Sequence, residues 1–172
     1  VWAVQILGRI GDHRSTWPII ERLHDRAESL RLSACNALAA LRDARAVPPL
    51  IDVVLRDPIA AVRAQAARAL GELGDDRALP LLIASLGDAD YWMRFRALEA
   101  IEALSPTDTS AIETALADAN PEVRRRAVLA LDRMGRLEKP FDDLTADDEA
   151  ASAEAEQRLI AVGRAGLSER LV

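Results

Sequence analysis

An all-α solenoid built from helical hairpins is the fold that this 172-residue sequence predicts, and three observations support the prediction. The hydrophobic half of the sequence is mostly Ala, Leu, Val and Ile, with only three Trp, two Phe and one Tyr. An alanine followed by aliphatic residues four and seven positions later recurs with a period of 30–32 residues. Each period also holds two apolar stretches with helical spacing. Small and aliphatic side chains in this pattern favour stacked helices.

The repeat is clearest in the second helix of each hairpin. Residues 62–73 show apolar residues at i, i+4, i+7 and i+8, as on one face of a helix. Because one hairpin cannot bury its apolar faces alone, neighbouring hairpins must stack, and a right-handed superhelix is expected. The five aligned copies are Ala3–Leu7–Ile10, Ala34–Leu38–Leu41, Ala66–Leu70–Leu73, Ala97–Ile101–Leu104 and Ala127–Leu131–Met134.

The first helix of each hairpin is predicted from a proline near its start, as at Pro80 in the stretch 79–86. Proline is tolerated there because the first helical N–H has no intrahelical partner. Turns rich in Asp, Asn, Gly and Pro, such as 87–90 and 118–121, separate the two helices. Several second helices are expected to end at a left-handed glycine. These glycines are Gly11, Gly74 and Gly135.

The segment 62–75, followed by Arg77, Pro80 and two leucines, resembles the short HEAT repeats named after phycobilisome lyases. The resemblance covers residues 1–135. It implies that the second helices line the concave face of the solenoid. It also implies a ladder of aspartate–arginine pairs that joins successive repeats and lapses at residues 105–110. The ladder would pair Asp12, Asp43 and Asp75 with Arg31, Arg63 and Arg94.

Two regions are predicted: a repeat domain over residues 1–136, with half a repeat and four hairpins, and an acidic segment over 137–172. The acidic segment has four basic and nine acidic residues, a formal charge of −5, which leaves −1 for the repeat domain. A helix from Thr145 to Val162 is predicted to cap the last hairpin, with a mobile acidic tail as the alternative. Since the sequence starts at Val1 inside a helical pattern, more repeats are expected upstream.

The residue content argues against catalysis and metal binding. Cys35 is the only cysteine, and His13 and His24 are the only histidines, too few for most sites built on soft ligands. No nucleophile elbow, phosphate loop or Rossmann glycine pattern is present. Cys35 occupies a position that is apolar in other repeats, so we expect it to be buried. We therefore predict a protein without catalytic residues, metal or cofactor.

Membrane insertion is also not expected. No apolar run approaches the roughly 20 residues that a transmembrane helix needs, and the sequence does not start like a signal peptide. These features predict a cytoplasmic protein with no membrane partner.

Residues that depart from the repeat at exposed positions of the second helices are the candidates for binding. Tyr91, Trp92 and Phe95 stand where the previous repeat has alanines, and Trp, Tyr and Arg dominate the energetics of many interfaces. The alternative is that Trp92 and Phe95 pack against neighbouring hairpins. The predicted binding residues are Trp2, Arg68, Trp92, Phe95, Arg96, Glu99, Arg125, Arg126 and Arg133. The three arginines of the last repeat are predicted to share one exposed face.

These features predict a scaffold that binds another protein on its concave face. Nucleic-acid binding, as in HEAT-like DNA glycosylases, is an alternative because aromatic and arginine side chains can stack on bases and hold phosphates. The net charge of −6 argues against it. A further alternative, an accessory subunit of a chromophore lyase, is implied by the resemblance alone.

Overall fold

The computed structural model describes residues 1–136, which form α-helices and 3₁₀ turns without any β-strand. Successive helices alternate between the first and second positions of a hairpin, which confirms the predicted all-α solenoid. The helices are α1 (Trp2–Ile10), α2 (Thr16–Ile20), α3 (Glu28–Leu41), α4 (Val47–Arg56), α5 (Ala60–Leu73), α6 (Leu79–Ala84), α7 (Tyr91–Leu104), α8 (Ser110–Thr114) and α9 (Pro121–Arg133).

The ends of the helices follow the local chemistry of the sequence. Prolines stand in the first two positions of α4, α6 and α9, where the missing N–H breaks no helical hydrogen bond. Gly11, Gly74 and Gly135 take the left-handed conformation expected of them, with φ between 65° and 77°. Arg42 takes the same conformation after α3, with φ 51°. The first helices α2, α6 and α8 are short because each one passes into a 3₁₀ turn.

The described residues belong to two compact units. The first is Val1–Leu104 and holds α1 to α7; the second begins at Ser105, and its described part holds α8 and α9. In the first unit α1, α3, α5 and α7 pack side by side in chain order, while α2, α4 and α6 cover α3, α5 and α7. In the second unit α8 packs on α9. The predicted acidic segment and its capping helix lie outside the described residues.

The core of the first unit is the apolar stripe that the repeat pattern predicts. In α5, Val62, Ala66 and Leu70 are completely buried. The corresponding stripe of α1 differs, since Ala3 is exposed and Ile10 is 65% exposed. Among the described helices α1 packs mainly on α3, so this stripe lacks the first helix that covers its equivalents in α3, α5 and α7.

Close packing of the second helices depends on small residues. A β-carbon placed on Gly8 in α1 would lie 2.7 Å from Cα of Ala37 in α3. A β-carbon on Gly71 in α5 would lie 2.6 Å from Cα of Ala100 in α7. Both distances are too short for any side chain, so glycine lets the two helix backbones approach each other at these two places.

The predicted pairing within the ladder is wrong, because each ladder aspartate binds an arginine two residues further along the chain. In each case the carboxylate caps the following 3₁₀ turn by accepting the arginine backbone N–H at 2.9–3.0 Å, and it also binds that arginine's guanidinium. The arginine two residues further along lies next to the aspartate as soon as the turn forms, so its backbone N–H and guanidinium bind the carboxylate. The pairs are Asp12–Arg14, Asp43–Arg45 and Asp75–Arg77.

The ladder arginines instead reach the turns inside the hairpins. Arg31 binds Asp57 of the next hairpin, with Nε 2.6 Å from Oδ2, and Arg63 reaches Asp88 at 3.3 Å. Arg94 donates to the backbone carbonyl of Asp88 at 2.9 Å. A side chain in the first turn of a helix points back toward the N-terminus, which lets all three guanidinium groups donate to backbone carbonyls of the turn before their own helix. Arg31 and Arg63 reach from there to the corresponding turn of the next hairpin. The repeats are thus joined by arginines and by turn aspartates that the sequence reasoning had not assigned.

Candidate binding surface

The largest departure from the repeat lies on the exposed side of α7. The rings of Trp92 and Phe95 stack at 5.2 Å between centroids, with 7° between their planes. The guanidinium carbon of Arg96 lies 4.4 Å from the Trp92 ring centroid, which is close enough for a cation–π contact. We call these three residues the aromatic cluster. They are neighbours because positions i, i+3 and i+4 lie on one side of a helix.

The structure agrees with parts of both predicted interpretations of the aromatic cluster. Trp92 is 38% exposed, and Tyr91 beside it is 46% exposed, so both rings present apolar surface to solvent. Phe95 and Arg96 are half-buried. Trp92 therefore rests on Phe95 and leaves part of its indole available to a partner. Aromatic anchors at protein interfaces have this combination of support and exposure.

Ion pairs form within α7 and within α5, and the α5 pair extends as a polar network to α3. Arg96 forms an ion pair with Glu99 on the same helix. On α5, Arg68 pairs with Glu72, and its Nη2 donates to Oδ1 of Asn36 on α3 at 2.7 Å. Arg68 and Glu99 stand at equivalent positions of successive repeats. The network keeps these side chains on one face of the second helices.

Two grooves lie on the same face of the first unit. Groove A, between α1 and α3, has a volume of about 300 Å³, and groove B, between α5 and α7, about 280 Å³. The glycine contacts form part of their linings. Of the predicted binding residues, Trp2 lines groove A, and Arg68, Arg96 and Glu99 line groove B. Trp2 is 75% exposed, so groove A has a large apolar wall open to solvent.

One part of the predicted set is wrong, because Arg126 is only 8% exposed. It precedes the buried Ala127, at the position where α3 has the buried Ser33. This position borders the apolar stripe, and both the aliphatic stem of Arg126 and its Nη1 are buried there. Arg125 and Arg133, also in the second unit, are exposed as expected. The predicted arginine face therefore has two exposed members instead of three.

The cysteine and the two histidines of the sequence lie in different surroundings in the described part of the chain. Cys35 is completely buried, as expected, and desolvation raises the pKa of its thiol to about 12. His13 is exposed, with Nδ1 3.4 Å from the Asp43 carboxylate, and His24 is exposed on the first-helix side. Within residues 1–136 no group of three or more His, Cys, Asp or Glu side chains is placed to hold a metal ion.

Sequence reasoning missed two features of this surface. It did not assign Asn36 to the network, although Asn36 aligns with Arg68 and Glu99 in the repeat. It also explained Gly8 by the period of the helix, whereas the glycine allows close approach of α3. Glycine at the equivalent position of α1 and α5, where α3 has Ala39 and α7 has Glu102, was the available signal.

Within residues 1–136 no helix is both long enough and apolar enough to cross a bilayer. The cytoplasmic location stays a prediction.

A family model described as HEAT repeats matches residues 16–102 and 47–128. No curated protein sequence matches the chain significantly. Among solved structures, the chain is similar to one from the complex of CpcE and CpcF of phycocyanin lyase from Nostoc sp. PCC7120. The two are 28% identical with a TM-score of 0.68, over 94% of this chain and 70% of that chain.

Two further structures share the fold at lower identity. YIBA of Escherichia coli is 18% identical with a TM-score of 0.67, over 92% of this chain and 66% of its own. A designed armadillo repeat protein in complex with the peptide (KR)4 is 20% identical with a TM-score of 0.57, over 92% and 91%. The two family-model matches together span more than half of the chain. The protein therefore belongs to the HEAT-repeat family, and the predicted resemblance to lyase-type HEAT repeats is confirmed.

Proposed function

We propose that the protein is a non-catalytic scaffold that binds another protein through the face formed by α1, α3, α5 and α7. The observation that carries this proposal is the aromatic cluster, in which Trp92 stays 38% exposed although Phe95 and Arg96 hold it in place. An indole fixed in one position loses little conformational freedom on binding, which favours its use as an anchor. The HEAT-repeat fold supports the proposal, because solenoids present extended surfaces of this kind to their partners.

The charged residues of the face have a secondary role in this proposal. Arg68 and Arg96 are already paired with Glu72 and Glu99. A partner that displaced these pairs would have to replace their interactions, so they contribute to orientation more than to affinity. Arg125 and Arg133 are exposed in the second unit and are proposed as binding residues of that unit.

The experiment compares two exposed tryptophans. Trp92→Ala should remove the proposed anchor, whereas Trp17→Ala removes an indole that is 57% exposed on the first helix α2. Wild type and both variants are used to capture proteins from the source lysate, and the retained partner is then purified for calorimetry. We expect Trp92→Ala to weaken binding by about 10-fold or more, as for an interface anchor, and Trp17→Ala to leave it unchanged.

Equal affinities for the wild type and the Trp92 variant would refute the proposal for this face. Weaker binding by the Trp17 variant alone would place the interface on the first helices. Circular dichroism spectra of both variants check that the fold is retained.

A lyase subunit is the second candidate function, and the 28% identity to a chain of the phycocyanin lyase complex favours it. In this case the same face would hold the other subunit of an enzyme. Adding a bilin to the protein tests this candidate. A changed absorbance spectrum would support it, and an unchanged spectrum in the presence of the captured partner would count against it.

A further inference from the structure

We propose that the partner segment is extended and largely uncharged and that it inserts one apolar side chain into groove A and another into groove B. This inference rests on the proposed function and specifies the chemistry of the partner.

Grooves A and B are the same feature of the repeat, two repeats apart. In each, the preceding second helix contributes a glycine, Gly8 or Gly71, and the following helix contributes a small residue opposite it, Ala37 or Ala100. An exposed alanine also lines each groove at an equivalent position. These alanines are Ala40 in groove A and Ala103 in groove B.

The junction between α3 and α5, which separates the two grooves, is built differently. Ala39 stands where α1 and α5 have glycine, and Glu72 stands where α3 and α7 have the exposed alanine. Arg68 also crosses this junction to reach Asn36 at 2.7 Å. Arg68, which lines groove B, and Asn36, which lines groove A, thus form a polar bridge between the small residues of the two grooves. This arrangement suits a ligand with two apolar anchors and a polar middle.

The spacing of the grooves selects an extended segment. Neighbouring packed helices lie 8–10 Å apart, so two steps from groove A to groove B span roughly 16–20 Å. An extended chain rises about 3.3 Å per residue and turns alternate side chains to the same side, so about six residues separate the two anchors. A helix laid across the face would need about 11–13 residues to span the same distance, whereas an extended segment needs about six.

The charges of the face explain why the segment carries little charge. The arginines of groove B are paired with glutamates on their own helices, Arg68 with Glu72 and Arg96 with Glu99. Groove A has a single charged residue in its lining, Arg9. A strongly charged segment would meet no matching excess of charge here, so affinity comes from apolar burial.

The test fills each groove by one substitution. Ala40→Leu and Ala103→Leu place a larger side chain in groove A and groove B at exposed helical positions where leucine is well tolerated. Ala61→Leu is the matched control, since Ala61 is exposed on α5 and does not line either groove. A displayed library of random twelve-residue peptides is selected on the full chain, and the enriched peptides are synthesised for calorimetry.

We expect the enriched peptides to carry two apolar residues about six positions apart. Each groove substitution should weaken their binding by roughly 10- to 100-fold, as the loss of one buried aliphatic side chain does, and the control should not. Affinity should change less than about threefold when the salt concentration is raised tenfold, since screening acts mainly on exposed charges.

A consensus of charged residues, insensitivity to either groove substitution, or no enrichment at all would overturn the inference. The proposed function is tested separately by Trp92→Ala on the same peptides. Peptide binding that is weakened by Trp92→Ala but by neither groove substitution would support the scaffold proposal and reject the two anchors. Peptide binding that none of the three substitutions weakens would reject both proposals.

Discussion

Replacing Gly71 by alanine tests whether close approach of α5 and α7 stabilises the solenoid. The new β-carbon would lie 2.6 Å from Cα and 2.8 Å from Cβ of Ala100, whereas ordinary contacts are 3.4–4 Å. The obstructing atoms belong to the backbone and to a β-carbon that cannot rotate away. The two helices must therefore separate by about 1 Å, or the local packing must distort.

Two opposing contributions set the size of this effect. Overpacking of a close contact costs about 1–3 kcal/mol, while alanine is favoured over glycine inside a helix by about 1 kcal/mol. Because the contact is with backbone, we take the upper part of the first range and expect Gly71→Ala to lose about 1–2 kcal/mol of the free energy of unfolding. With a denaturant slope of about 2 kcal/mol/M, the urea midpoint should fall by about 0.5–1 M.

The matched control is Gly87→Ala, because nothing lies within 4 Å of a β-carbon at Gly87. Urea unfolding followed by far-UV circular dichroism compares both variants with the wild type. The control should keep or slightly raise the midpoint. A Gly71 variant that was as stable as the wild type, with an unchanged slope, would refute the idea that backbone contact at this glycine limits the spacing of the helices.

Two further predictions concern stability. Leu70→Ala should lower the free energy of unfolding by about 2–5 kcal/mol because Leu70 is completely buried, and Leu55→Ala, at a leucine that is 59% exposed, is the control in the same urea experiment. Asp43→Asn should destabilise the protein at neutral pH, since hydrogen bonds from Arg45 and Thr16 outweigh burial and hold the pKa of the Asp43 carboxyl below its usual range. A carboxyl with a lowered pKa stabilises the fold above its unfolded pKa of about 4 and loses that contribution as the pH falls. The urea midpoints of the variant and the wild type are compared from neutral pH to below the unfolded pKa of about 4. The difference between the two midpoints should shrink in acid, and a difference that is independent of pH would contradict this assignment.

The fold could be predicted because it depends on a local pattern repeated many times. The alanine and leucine positions of 62–73 specify the helix and its buried side together, and the structure buries Ala66 and Leu70 as expected. Proline and glycine mark the helix ends for reasons that involve only a few neighbouring residues. None of these inferences needs a knowledge of which repeats touch.

The ladder and the binding surface were harder because they depend on contacts across repeats. The sequence offers Arg31 more than one aspartate in the neighbouring turns, and only three-dimensional packing selects Asp57. The burial of Arg126 similarly depends on where the apolar stripe ends, a boundary that periodicity locates to within one residue at best. Grooves A and B arise from pairs of helices, and within a single helix only the glycine at the equivalent position of α1 and α5 indicates them.

Because Cys35 is completely buried, modification of its thiol can report on the conformational opening of the protein. A thiol reagent added from solution can modify Cys35 only after α3 has moved away from its neighbours, because the sulfur is inaccessible and little of it is ionised at neutral pH. Since the sequence has no other cysteine, each modification event comes from this one place. The rate of modification therefore reports on the opening of α3 without any engineered label.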